Sequence, residues 1–145
     1  GFTIQSNTFD EAIEYIEGLP KLSEFVRTPN DYGFAMLSFT PNEKISGSIN
    51  YVYTGKMLVP HFAGAPNQTI DEITMSDRFS ELNFKFSYTI NIKKPALGIE
   101  IYMGVKNIFN AYQDQFDIGK NRDSNFIYGP AQPRTVFGGI KLISL

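Results

Sequence analysis

From Leu82 to Ile92 apolar and polar residues alternate without a break. Leu82, Phe84, Phe86, Tyr88, Ile90 and Ile92 share one face; Glu81, Asn83, Lys85, Ser87, Thr89 and Asn91 share the other. A helix would scatter these residues around its circumference, so the period of two predicts a strand. Lys93-Lys94-Pro95-Ala96 then supplies a tight, charged turn. A second run follows, in which Leu97, Ile99, Ile101, Met103 and Val105 oppose Gly98, Glu100, Tyr102, Gly104 and Lys106. Two alternating runs joined by a short turn predict a β-hairpin.

The same unit occurs upstream. Tyr32–Phe39 is strand-like, Thr40-Pro41-Asn42-Glu43-Lys44 is a turn, and Ile45–Thr54 alternates again through Ile49, Tyr51 and Tyr53. Arg134–Leu145 is strand-like too, with a slip at Gly138-Gly139 that predicts a bulge. The connections between these units are longer. Pro60–Asp77 matches a strand plus a loop, and Asn107–Pro133 is longer still. Within Ser6–Asp31, the stretch from Phe9 to Gly18 predicts one short helix near residues 8–18, stopped by Gly18. Connections thus run short, long, short, long. Outer-membrane barrels have this asymmetry, with tight turns at one end, long loops at the other and strands of about 9–11 residues. On pattern alone a soluble sheet, with the same apolar face turned into a core, stays open beside the barrel.

Composition narrows the chemistry. The chain has 145 residues, a formal net charge of −2 and no cysteine. Disulfides, thiolate metal sites and a cysteine nucleophile are excluded, and no basic field exists to hold nucleic acid. No apolar run approaches the roughly 18 residues of a membrane helix, so any crossing of a bilayer must use strands. Gly1-Phe2-Thr3-Ile4 has neither the basic start nor the apolar block of a signal peptide. With no initiator Met, the chain is expected to continue upstream.

Gly104-Val105-Lys106-Asn107-Ile108-Phe109-Asn110-Ala111-Tyr112 resembles a passage near the end of TonB-dependent outer-membrane receptors, where the penultimate strand enters the last long loop. Tyr128-Gly129-Pro130-Ala131-Gln132-Pro133-Arg134-Thr135 resembles the entry to their final strand. Arg27-Thr28-Pro29 and Tyr53-Thr54-Gly55-Lys56-Met57 are similar to the same family's late hairpins. One departure is visible: such barrels commonly finish on an aromatic residue, whereas this chain finishes Ile143-Ser144-Leu145. The resemblance spans essentially the whole chain. It implies an all-β, antiparallel up-and-down meander of about six strands within a barrel of about 22. The strands would be Gly1–Gln5, then 33–40, 45–58, 79–92, 97–108 and 134–145, alternately rising and descending. Turns 41–44 and 93–96 would be periplasmic and the three long connections extracellular. Residues 1–145 would form a single segment, without the plug domain and its TonB-contacting box.

Candidate chemistry is sparse. His61, the lone histidine, makes no triad and at most one metal ligand, so a loop or packing role is expected. Gln113–Asn125 is rich in oxygen donors, but its spacing is not that of an EF-hand and no glutamate closes it. Asx-turns and Arg122–carboxylate pairing are the expected use of those residues. Glu14, Glu17, Lys21 and Glu24 read as a solvated surface. No phosphate loop, nucleophile elbow or histidine pair is present. No enzyme, cofactor or metal site is therefore expected. In the resembled family, extracellular loops help hold the substrate, which selects Tyr112, Asp114, Asp117, Arg122, Asp123 and Tyr128 as ligand-contacting residues.

The resemblance implies part of a receptor for active uptake of a scarce nutrient, a metal chelate or an oligosaccharide, in the outer membrane of a Gram-negative bacterium. Its partners would be the rest of the barrel, the plug, outer-membrane lipid and, through the full-length protein, the TonB system. An isolated segment has two open sheet edges and is expected to self-associate through them. The alternative is a soluble β-barrel or sandwich that binds an apolar ligand or a protein; a surface module acting through its long loops is a third possibility.

Overall fold

The structure, a computed structural model, describes residues 1–65, 67–92 and 97–144. The chain is all-β. Its strands are β1 (Phe2–Ile4), β2 (Thr8–Ile13), β3 (Leu22–Glu24), β4 (Asp31–Asn42), β5 (Ile45–Thr54), β6 (Leu58–His61), β7 (Glu72–Met75), β8 (Phe79–Ile92), β9 (Leu97–Lys106) and β10 (Thr135–Ser144). Six of them form one sheet in the order β1-β4-β5-β8-β9-β10, the expected up-and-down meander. The pairs β2–β3 and β6–β7 are small separate hairpins within the long connections. Among the described residues no helix is long and apolar enough to cross a membrane.

The chain divides into two compact units. One comprises Gly1–Gly33, Tyr53–Phe79 and Tyr112–Ala131, most of the long connections. The other comprises Phe34–Val52, Ser80–Ala111 and Gln132–Leu145, the bulk of the strands. Their interiors differ. The buried hydrophobic residues Ile16, Val59, Ala65, Phe79 and Phe126 all belong to the connection unit. Among the described residues, the strand unit has no fully buried apolar side chain of this kind.

Register explains why. In the strand unit, Phe86 pairs with Met103 and Met103 with Gly138; Tyr88 pairs with Ile101 and Ile101 with Ile140; Ile90 pairs with Ile99 and Ile99 with Leu142. Period two then carries Phe84, Ile92, Leu97, Val105 and Val136 onto the same face. No charged residue interrupts it, and its side chains are open: Met103 is 62% exposed, Val136 76% and Ile140 71%. The opposite face carries Lys85, Ser87, Thr89, Glu100, Lys106 and Lys141. Ser46 of β5 and Ser87 of β8 join there, oxygen to oxygen at 2.7 Å.

Several expectations need correction. The helix near residues 8–18 does not form. Thr8–Ile13 is a strand paired with Leu22–Glu24, because Phe9 packs on Phe25 at 4.3 Å and on Tyr15 at 6.0 Å between ring centres. Gly18, at φ 85°, does end the following turn, and its N–H donates to Glu14 Oε1. The 40–44 turn is tighter than expected. Pro41 and Asn42 extend β4, and the Asn42 side chain accepts the N–H groups of Lys44 and Ile45, closing a two-residue turn. The expected 45–58 strand stops at Thr54, where Gly55 donates its N–H to the Asp31 carbonyl. Pro60–Asp77 is entered by a hairpin, not by a strand of the main sheet. No bulge occurs at Gly138-Gly139; the β9–β10 register runs unbroken from Thr135 to Ser144. The expected turn 93–96 and the final Leu145 lie outside the described residues.

Candidate functional site

The passages 104–112 and 128–135 are tied together by asparagine side chains. β9 ends because Asn107 takes a left-handed conformation at φ 49°, and Asn110 repeats it at φ 54°. Asparagine tolerates this region better than most residues. Asn107 is 2% exposed and fully used. Its Nδ2 donates to the carbonyls of Ala111 and Gln132 at 2.7 and 2.8 Å, and its Oδ1 accepts from Ala111 N–H at 2.9 Å. Its own N–H donates to Asn83 Oδ1. Asn110 Oδ1 accepts the N–H of Arg134, one residue before β10. The exit from one strand is thereby fastened to the entry of the next.

Gln113 performs a similar task within the connection unit. Its Nε2 donates to the carbonyls of Gln115 and Phe126, and its Oε1 accepts from Tyr128 and Gly129 N–H groups. Gly129 fits because a side chain there would meet the Phe79 ring, with an ideal Cβ 2.6 Å from Cζ.

Around Phe126 lies a clasp between the β6–β7 hairpin and the 112–131 connection. The His61 ring stacks on Phe126 with centres 3.7 Å apart and planes 7° apart. His61 Nε2 meets both Asp117 oxygens at 3.1 and 3.2 Å, and Nδ1 lies 3.7 Å from Glu72, its register partner on β7. Asp117 Oδ2 also accepts Asp123 N–H. Asp123 accepts Phe62 N–H at 2.8 Å and Asn125 N–H at 2.8 Å. Burial works to raise the Asp123 pKa, but donation from Phe62 and Asn125 and the nearby His61 outweigh it; its carboxyl sits below the ordinary value. Both His61 nitrogens face carboxylates, so the ring is built to fasten loops.

The six ligand-contact candidates separate on this evidence. Asp117 and Asp123 come together in the clasp, their oxygens already occupied. Tyr128 packs edge-on to Phe126, and burial, Asp77 and Asp114 push its hydroxyl pKa up. Tyr112, Asp114 and Arg122 are exposed. Among the described residues Arg122 pairs with no carboxylate; the expected pairing is replaced by backbone N–H donors. His61 has the packing role expected of it. Among the described residues no group of three or more His, Cys, Asp or Glu side chains is arranged to hold a metal ion. The sequence reading missed Gln113 as a staple and Glu72 as a His61 neighbour.

No family model, curated protein or solved structure matches this chain.

Proposed function

We propose that this chain is the C-terminal barrel portion of a TonB-dependent outer-membrane receptor for active uptake of a scarce nutrient, a metal chelate or an oligosaccharide. The observation that carries the reading is the open apolar face of β8, β9 and β10. An uncharged sheet face of this extent, facing out, calls for an apolar medium or a partner, and lipid suits a wall whose opposite face is polar. Supporting it, the three long connections join β1 to β4, β5 to β8 and β9 to β10. In an antiparallel meander these all leave the same end of the sheet.

In this reading the strands supply lipid-facing wall and lumen lining, and the clasped connections supply part of the extracellular surface. Exposed Tyr112, Asp114 and Arg122 are the loop residues placed to meet a ligand. The segment catalyses nothing; its partners are the remaining barrel, the plug and outer-membrane lipid, and it couples to TonB only through the full-length protein. Alone, the segment self-associates through the edges offered by β1 and β10.

Fractionation of the native protein tests this. Recovery in the outer membrane, with a detergent requirement and a heat-dependent shift in gel mobility, is expected. A protein that stays in solution without detergent would sink the membrane reading, and the apolar face would then be an interface with a soluble partner.

A further inference from the structure

The polar face of the strand unit contains a hollow of about 380 Å³, within the size range of small-ligand sites. It is lined by Ser48 and Asn50 of β5, Glu81 and Lys85 of β8, Lys106 of β9 and Phe137 of β10. Register builds its floor. Lys85, Gly104 and Phe137 form one cross-strand row. Because Gly104 has no side chain, the Phe137 ring lies over it, with an ideal Cβ at Gly104 only 2.8 Å from Phe137 Cε1. The ring of Phe137 thereby reaches across β9 toward β8.

Two ammonium groups sit over aromatic rings on this face, one over Phe137 and the other over Tyr102, which is not part of the lining. Lys106 Nζ is 5.9 Å from the centre of the Phe137 ring, and Lys85 Nζ is 5.2 Å from that of Tyr102. The two lysines are diagonal neighbours on adjacent strands, a relationship that sets side chains about 7–8 Å apart at their bases. Among the described residues neither pairs with a carboxylate. The one acid of the hollow, Glu81, lies four residues before Lys85 on the same face, about 13 Å along the strand. Lys106 falls opposite position 83 in this register, so Glu81 and Lys85 are both its diagonal neighbours. The three groups together stay net positive, and Glu81 offers a hydroxyl acceptor.

We infer that this hollow binds a carboxylate-bearing sugar. The carboxylate sits between Lys85 and Lys106, the apolar face of a pyranose ring lies on Phe137, and hydroxyl groups reach Ser48, Asn50 and Glu81. With two lysines and one glutamate the hollow is net positive, and the lysine pair takes one carboxylate of the sugar. A bare inorganic dianion would leave the Phe137 ring and the hydroxyl partners unused. The inference rests on the barrel reading, in which the polar face lines a wet interior, and it narrows the nutrient to an acidic saccharide.

The test uses the full-length receptor carrying this segment, in detergent, titrated calorimetrically with digalacturonate. Wild-type protein binds it, and the neutral disaccharide digalactose binds about tenfold or more weakly, as expected when charge-assisted hydrogen bonds are lost. Lys85→Gln and Lys106→Gln each weaken digalacturonate by a similar factor, while Lys85→Arg and Lys106→Arg retain most of the affinity. The heat-dependent mobility shift reports folding of each variant. Absence of binding to the wild type, equal binding of digalactose, or folded glutamine variants that bind like the wild type would each overturn the site. The two readings fail separately. A heat-modifiable outer-membrane protein indifferent to digalacturonate loses the site and keeps the barrel. A detergent-independent protein that binds it through both lysines keeps the site and loses the barrel.

Discussion

Tyr102 and Gly139 face each other across β9 and β10, and the tyrosine ring occupies the space that a side chain at 139 would need. An ideal Cβ on Gly139 would lie 2.5 Å from the Tyr102 hydroxyl oxygen and 2.6 Å from Cζ. One row away the arrangement is reversed, with Phe137 laid over Gly104. Gly139→Val should therefore cost about 1–3 kcal/mol through overpacking, read as a lower temperature for the heat-dependent mobility shift. Adding Tyr102→Ala should recover part of the loss, because the two residues share one space. Additive losses would show that the ring moves aside freely.

The apolar face gives a sided prediction. Ile101→Lys puts a charge among Tyr88, Met103 and Ile140 and should cost about 2–4 kcal/mol in a bilayer if the residue sits near mid-membrane. Thr89→Lys, on the opposite face of the neighbouring strand, should cost far less. Equal effects in refolding titrations into lipid vesicles would remove the distinction between the faces.

Asn107→Ala deletes the side-chain donor and acceptor that hold Ala111 and Gln132, and it forces alanine to φ 49°. A loss of about 1 kcal/mol or more is expected from the lost hydrogen bonds to these part-buried carbonyls alone. Asn107→Gly relieves the backbone term and keeps the hydrogen-bond loss, so it should fall between wild type and Asn107→Ala. Protease cleavage rates after Asn107 would rank the three.

Titration of the connections should show both signs. Asp123 has a folded-state pKa below its ordinary value, so its stabilising contribution is present above the unfolded-state pKa and drains away as pH falls through the folded one. Protection of the Phe62 and Asn125 amides against exchange, relative to the intrinsic rate, should fall as pH drops, and Asp123→Asn should flatten that fall. Tyr128 behaves oppositely. Its folded pKa lies above 10.0, so stability is lost as pH rises past the ordinary value toward the folded one. Tyr128→Phe should lessen the alkaline loss in a thermal melt monitored across that range.

What the sequence made legible follows from range. β8 was readable over Leu82–Ile92, where apolar and polar residues alternate without a break; its first residues, Phe79–Glu81, are out of that phase. Residues 8–18 were misread because Phe9, Ile13 and Ile16 are spaced as on a helix, and only the distant Phe25 decides for a strand. Gly138-Gly139 suggested a bulge because two glycines carry no face; the Tyr102 ring that fills one of them is thirty-seven positions upstream in the chain. The clasp was invisible for the same reason. His61 and Asp117 are 56 positions apart, and neither segment has a pattern that announces the other. The carboxylates chosen as ligand contacts were selected by the loop that the resemblance singles out, and a place in a loop cannot tell an oxygen facing solvent from one already accepting an N–H.

The placement of the buried apolar residues bears on what heat can report. A positive heat-capacity change on unfolding comes from apolar surface that water reaches only after the chain opens. Ile16, Val59, Ala65, Phe79 and Phe126 carry such surface, whereas Met103, Val136 and Ile140 have little of it left to expose. A calorimetric scan of this segment in water would therefore record chiefly the melting of its connections, and the long strands that dominate its architecture would contribute comparatively little to the curvature of the stability profile.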